Sequence, residues 1–246
     1  MSNETEQPVT RFAAVYGTPG QGPRTLGPLR VFWPLALFCL AAGWLLRAAL
    51  PFPELSITQA GFLFLILAVL LTGFTAWSAR RLQSFLKGAE GEDLVARQLS
   101  FLPGSYSVFN DFQLDTSGPA FDHVVVGPAG VFVIETKNWA GDISFENGQV
   151  LYNGKAPSRP PIRQVKEAAA ALLDHLSASQ CPEVQVQPVI CFVNNPSADQ
   201  ISNIGGVRIC TDESLYQLFE NTLTTPPESG ALALIASELK HCVEEK

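Results

Sequence analysis

The stretch of sequence that decides the fold is FDHVVVGPAGVFVIETKNW, residues 121–139. It contains two runs of β-branched and aromatic residues, 124–126 and 131–134, separated by Gly-Pro-Ala-Gly. Apolar runs of this length predict buried strands, and the glycines and proline between them predict a tight turn. The sequence therefore predicts a buried β-hairpin.

The register of this hairpin follows from the turn. If the turn is symmetric, Val126 pairs with Val131, and Asp122 then lies directly opposite Glu135. Side chains opposed in this way have Cβ atoms roughly 5 Å apart. The strand period of two places Lys137 on the same face as Glu135. Two carboxylates and one lysine are thus expected on one face of the sheet.

Placing two carboxylates this close on apolar strands costs roughly several kcal/mol in desolvation and charge repulsion, unless one carboxylate is protonated or a cation lies between them. A divalent cation is the simplest remedy, and oxygen ligands favour Mg²⁺ or Mn²⁺ over zinc. Asp122, Glu135 and the Thr136 backbone carbonyl are the expected ligands. In the alternative interpretation Glu135 and Lys137 form an ion pair while Asp122 caps a turn.

These residues also carry a family resemblance. Asp122 followed by Glu135, Thr136 and Lys137 resembles the D…E-x-K core of the PD-(D/E)XK nuclease superfamily, and the surrounding sequence resembles the NERD (nuclease-related) domain. The similarity runs from Gly88 to about Leu176. In chain order, the matching residues are Gly91-Glu92, Phe121-Asp122-His123, Gly127-Pro128, Glu135-Thr136-Lys137-Asn138-Trp139 and Gln164. Phe121 stands where the family usually has isoleucine.

The resemblance implies an α/β fold of the restriction-endonuclease type, a mixed sheet flanked by helices. It implies Mg²⁺- or Mn²⁺-dependent hydrolysis of phosphodiester bonds, with DNA expected over RNA as the nucleic acid. Glu92 would join the metal ligands through a bridging water. The catalytic residues implied are Glu92, Asp122, Glu135, Lys137 and Gln164.

Glu92 is singled out by the residues alone. In a helix from about Ala89 to Phe101, it shares a stripe with Val95 and Leu99, at i, i+3 and i+7. A carboxylate on an apolar face needs a partner. The alternative is that Glu92 lies at the edge of the stripe and either reaches solvent or caps the helix start after Gly91.

A second helix is predicted from Pro160 to about Ser177 and carries Gln164 near its start. Basic residues surround this helix start, where the helix dipole favours a phosphate. A solvated helix face is the alternative. The predicted phosphate contacts are Lys155, Arg159, Arg163 and Lys166. His123 lies on the strand face opposite Asp122 and is predicted to be structural rather than a general base.

The charge divides the chain in two. The first 87 residues hold 7 Lys+Arg and 3 Asp+Glu, so their formal charge is +4, whereas the remainder holds 9 and 20, or −11. Binding of a long duplex depends on many Lys and Arg contacts to phosphates, and an acidic domain offers few of them. A catalytically inactive module that binds nucleic acid or protein is therefore kept as the alternative function. The five cysteines lack C-x-x-C spacing and are expected to be free buried thiols.

Two apolar runs, residues 31–50 and 57–77, each have the length of a bilayer span. Basic residues flank the pair on its outer sides, which predicts cytoplasmic termini. The sequence thus predicts a two-pass inner-membrane protein with the bilayer as a partner. Residues 1–28 are expected to form a disordered cytoplasmic tail, 29–87 the membrane hairpin and juxtamembrane segment, and 88–246 the nuclease-like domain.

Overall fold

A computed structural model describes residues 11–20, 33, 36–46, 56–114, 118–195, 202–220 and 229–244. The chain forms two compact units, Gln21–Ala89 on the one hand and Met1–Gly20 with Glu90–Lys246 on the other. The strands are β1 Ala14–Tyr16, β2 Ser107–Gln113, β3 Ala120–Gly127, β4 Gly130–Lys137, β5 Ile143–Glu146, β6 Gln149–Tyr152, β7 Val186–Phe192, β8 Ser202–Ile204 and β9 Val207–Thr211. The helices are α1 Ile57–Leu99, α2 Pro161–Ala178, α3 Gln217–Glu220 and α4 Ser229–Glu244.

A mixed seven-stranded sheet, in the order β1-β2-β3-β4-β7-β9-β8, organises the larger unit. The strands β2, β3 and β4 are antiparallel neighbours, while β4, β7 and β9 run parallel. The strands β5 and β6 form a separate hairpin. The central strand β4 is therefore paired on both sides and is buried along almost its whole length.

The predicted hairpin register is confirmed. Val126 pairs with Val131, and the ladder continues to the pair of His123 and Ile134. One further step along the two strands opposes Asp122 and Glu135. Gly130 has a φ of +120°, a conformation that a residue with a side chain rarely adopts.

Alternate residues of β4 enter two different hydrophobic layers. Val131 and Val133 belong to the layer that contains α2 and α4, whereas Phe132 and Ile134 pack with the C-terminal part of α1. The sheet is therefore covered by helices on both faces, as an α/β sandwich requires. This confirms the predicted mixed sheet flanked by helices.

Residues 11–20 correct the prediction of a disordered N-terminal tail. β1 pairs in parallel with β2 at the edge of the sheet, and Tyr16 stacks on Phe109 with ring centroids 5.1 Å apart. The amide of Ala13 donates to the Leu102 carbonyl at 2.8 Å. The segment is ordered because it completes the edge of the sheet. The rest of the predicted tail, 1–10 and 21–28, lies outside the described residues.

The membrane prediction is corrected as well. Among the described residues, no helix combines the length and the apolar character that a bilayer crossing needs. The run 57–77 forms the first part of α1, which continues to Leu99. The prediction of a two-pass inner-membrane protein with cytoplasmic termini and a bilayer partner is therefore wrong.

Gly127 provides a test of the hairpin packing. A Cβ at this position would lie 2.1 Å from the ring of Tyr106, which is itself buried. We expect Gly127→Ala to destabilise the protein by about 1–3 kcal/mol, because ring and backbone must both shift. Urea denaturation measures the change. Gly230→Ala is the matched control, since its new methyl meets open space. Equal stabilities of the two variants would contradict this packing.

Candidate functional site

Asp122 lies where β3 meets the end of β4. Its Oδ2 accepts a hydrogen bond of 2.7 Å from the Thr136 amide. Burial first, and then the charges of Glu135 and Glu92, raise the pKa of Asp122 well above its usual range, against the opposing effects of Lys137 and the Thr136 amide. The Asp122 carboxyl is therefore held in an environment that disfavours its negative charge.

Lys137 provides the positive charge beside this carboxyl. Its Nζ donates to Glu135 Oε1 at 2.5 Å, and both side chains are largely enclosed. Burial acts to lower the pKa of Lys137, but the charges of Glu135 and Asp122 outweigh it and raise that pKa. The ion pair of the alternative interpretation is therefore present, within reach of two further acids.

Glu92 approaches the same place from α1. It is only 9% exposed, so the alternative in which it reaches solvent is wrong. Its pKa is raised to about 7, by burial first, then by Asp111 and Glu135, while a hydrogen bond from the Gly20 backbone and the charge of Lys137 oppose the rise. The sequence pattern located this residue correctly, although it did not foresee that residues near Gly20 supply a donor.

Gly91 explains how α1 comes so close to the strand. A Cβ on Gly91 would lie 2.8 Å from the Asn138 Cβ, which directly follows β4. Real side chains do not approach to that distance, so only glycine allows this packing. Because Gly91 has no side chain, α1 can pack close to the end of β4, and this close packing brings Glu92 to the site.

Asp111 is a further acid that the sequence analysis missed. It lies in β2 with a φ of 46°, and the ladder pairs Asn110 with His123 and Phe112 with Phe121, leaving Asp111 out. The register is the same on both sides of Asp111, so no residue is inserted and Asp111 falls opposite Asp122, with a left-handed backbone at that step. The one signal in the sequence is the polar pair Asn110-Asp111 inside an otherwise apolar strand.

His123 is structural, as predicted from strand alternation. It is fully buried, with Nδ1 2.8 Å from Asn110 Oδ1 and Nε2 3.1 Å from Thr136 Oγ1. Burial lowers the pKa of His123 to about 3, so the ring is neutral near pH 7. A neutral ring can donate to Asn110 and accept from Thr136. It thereby braces the residue whose amide binds Asp122.

The backbone beyond Lys137 is also fixed. Asn195 donates from Nδ2 to the carbonyls of Trp139 at 3.0 Å and Gly141 at 2.8 Å. The Trp139 ring packs against Tyr152 of β6 and Phe192 of β7, with centroids 5.0 and 5.7 Å away. These contacts hold the chain at the point where it leaves the site.

Gln164 and the basic residues lie outside this contact network. Gln164 is half-buried in the first turn of α2, and among the described residues no hydrogen bond or ion pair joins its side chain to the acids. Lys155, Arg159, Arg163 and Lys166 are exposed, and Arg163 is 3.5 Å from Glu167. Their predicted roles at phosphates stay predictions.

The acids fit a hard divalent cation by their chemistry. They offer carboxylate oxygens, the donors that Mg²⁺ and Mn²⁺ prefer, and burial, with a further contribution from the Glu135 charge, raises the pKa of both Glu92 and Asp122. They do not form a closed shell, because Glu92, Asp122 and Glu135 are not among the described groups whose ligand atoms all lie within 4.8 Å of one another. Asp122 and Glu135 could hold an ion.

Comparisons with known proteins identify the family of the middle part of the chain. Residues 87–193 match the family profile of the nuclease-related domain, NERD, so the resemblance seen in the sequence is confirmed over that range. An uncharacterised protein of Bacillus anthracis is 46% identical over 59 residues, which is 22% of this chain and 28% of that protein. The match thus spans well under two thirds of that relative. No solved structure matches the chain significantly.

Gly91 and Gly88 give a matched pair of substitutions on one helix. We expect Gly91→Ala to move Glu92 away from β4, because the new methyl would overlap Asn138. Affinity for Mn²⁺, measured by calorimetry, should fall about tenfold. Gly88→Ala meets open space and should leave affinity unchanged. Equal affinities for the two variants would contradict the role assigned to Gly91.

Glu92 should make stability depend on pH. Its pKa rises from 4.5 to about 7 on folding, so the folded state binds the proton more tightly, and this contribution is lost as pH rises through 7. In EDTA, we expect Glu92→Gln to be more stable than the parent by about 2 kcal/mol at pH 8 and by little at pH 5. Urea denaturation at both pH values measures the difference.

The exposed acid Glu146 provides the control for this test. Glu146→Gln should follow the parent at both pH values. A stability difference between Glu92→Gln and the parent that does not change with pH would contradict the raised pKa.

Proposed function

We propose that this protein is a metal-dependent phosphodiester hydrolase of nucleic acid, with a sheet of the restriction-endonuclease type. The observation that carries the proposal is the meeting of Glu92, Asp122 and Glu135 with Lys137 at one end of the β3–β4 hairpin, where burial and the charge of Glu135 raise the pKa of Glu92 and of Asp122. A protein that needed these residues only for stability would gain nothing by enclosing several acids against one lysine.

Each residue has a role in this proposal. Asp122, Glu135 and the Thr136 carbonyl would hold Mg²⁺ or Mn²⁺. The bound ion would supply Lewis acidity and lower the pKa of a water molecule. Lys137, positively charged and close to Glu135, would stabilise negative charge on a phosphate in the transition state. Glu92, with a pKa of about 7, can accept a proton at physiological pH.

The basic residues around α2 would hold the nucleic-acid backbone. Lys155 and Arg159 precede the helix, while Arg163 and Lys166 lie in its first two turns, and all four are exposed. Gln164, which lies among them, would contact substrate near the acids. With so few cations available, we expect a short or flexible stretch of DNA, in preference to RNA, rather than a long duplex.

One observation favours the second candidate, an inactive module that binds nucleic acid or protein. Lys137 Nζ already forms an ion pair with Glu135 Oε1 at 2.5 Å. Among the described residues, Glu92, Asp122 and Glu135 do not form a group whose ligand atoms all lie within 4.8 Å of one another. If the ion pair persists in the presence of Mg²⁺ or Mn²⁺, the site can bind but not cleave. The two functions therefore differ in what a divalent ion does to this pair.

Single substitutions separate metal binding from turnover. We expect Asp122→Asn and Glu135→Gln to lose Mn²⁺ binding and cleavage, because each removes an anionic ligand. Lys137→Met should keep Mn²⁺ binding but lose at least about 100-fold in cleavage rate, since its role is in the transition state. The assay uses the full chain with single-stranded, duplex and branched DNA and with RNA, each with Mg²⁺, Mn²⁺ or EDTA.

Glu146→Gln and Lys155→Met are the matched controls on the surface. The first should behave like the parent in both assays, and the second should weaken substrate binding without affecting Mn²⁺. Absence of metal binding and cleavage in the parent on every substrate would contradict the proposal and favour the binding module.

A further inference from the structure

A second cluster of potential ligands lies between the two helices on the other side of the larger unit's sheet from α1. His175 belongs to the last turn of α2, and Glu238 and Cys242 are four residues apart on α4. One ligand atom from each lies within 4.8 Å of the other two. In the part of the chain that the structure describes, these three residues form the group of three or more His, Cys, Asp or Glu side chains whose ligand atoms all lie within 4.8 Å of one another.

The distances within this cluster resemble the edges of a tetrahedral zinc site. His175 Nε2 is 3.1 Å from Glu238 Oε1 and 3.6 Å from Cys242 Sγ. Zinc bonds of about 2.0 Å to nitrogen or oxygen and about 2.3 Å to sulfur, at tetrahedral angles, give edges of about 3.3 Å and 3.6 Å. Little rearrangement would be needed to close these three side chains around one ion.

The surroundings of the cluster support it. Ser179 Oγ donates to Glu238 Oε1 at 2.7 Å, which orients the carboxylate as outer-shell partners of metal ligands do. A cavity lined by Ser179, Cys181, Glu238 and His241 lies beside the Glu238 carboxylate. The imidazole and carboxylate are about 30% exposed, so an ion could enter.

We propose that His175, Glu238 and Cys242 form a zinc site that links α2 to α4. The donor set is the reason for choosing zinc, because imidazole and thiolate favour zinc over Mg²⁺ and Mn²⁺. This site differs in chemistry from the all-oxygen acids near β4. Its function is structural, since α2 packs on β4 and β7 while α4 packs on β2 and β3, and the ion ties the two helices directly.

The test uses the full chain, stripped of metal under reducing conditions, and titrated with Zn²⁺ and with Co²⁺ as a spectroscopic substitute. We expect one Co²⁺ to give a thiolate charge-transfer band in the ultraviolet and Zn²⁺ to displace it. Cys242→Ser should abolish the band, and His175→Gln should weaken Co²⁺ binding at least about tenfold. Zn²⁺ should raise the melting temperature of the parent but not of Cys242→Ser.

Cys181→Ser and Asp122→Asn are the controls, and both should keep the band. Cys181→Ser removes a thiol that lines the neighbouring cavity. Asp122→Asn disables the acidic site. Circular dichroism verifies that each variant is folded. Absence of the band in the folded parent, or its survival in Cys242→Ser, would overturn the proposal.

Discussion

The constraint on which the rest of the structure depends is the enclosure of several carboxylates around one ammonium at the end of β3 and β4. Glu92 and Glu135 are almost fully buried, and Asp122 shares their environment. Burial of like charges is unfavourable, so the surrounding fold must hold them in place. The register of the β3–β4 hairpin fixes the positions of Asp122 and Glu135. The absence of a side chain at Gly91 lets α1 bring Glu92 close to them.

A second set of residues keeps this arrangement rigid. The buried chain from Asn110 through His123 to Thr136 fixes the strand whose amide binds Asp122. Asn195 fixes the backbone after Lys137. A site that must hold charged groups in unfavourable positions needs such support, because each group would otherwise relax toward solvent.

The parts of the site that could be predicted from sequence depend on local rules. The register of the hairpin follows from a four-residue turn and the strand period, and the position of Glu92 follows from the helical period. Both predictions needed only residues close in sequence. The orientation of His123 away from Asp122 followed from the same alternation, whereas its hydrogen bonds to Asn110 and Thr136 did not.

The rest depends on contacts between distant segments. β1 pairs with a strand more than 90 residues away, so a short segment rich in glycine and proline resembled a tail. The left-handed backbone of Asp111 departs from the extended geometry that its position inside a strand predicts. Length and apolar character alone suggested two membrane spans, whereas α1 continues through the second run as one helix to the edge of the site.

The most direct test of this account is anomalous diffraction from crystals of the full chain soaked in Mn²⁺. The account predicts a manganese peak with Asp122 and Glu135 as ligands, and Lys137 Nζ displaced from its present position 2.5 Å from Glu135. Crystals that show no peak at these carboxylates, with the Lys137–Glu135 pair intact at high Mn²⁺, would contradict it.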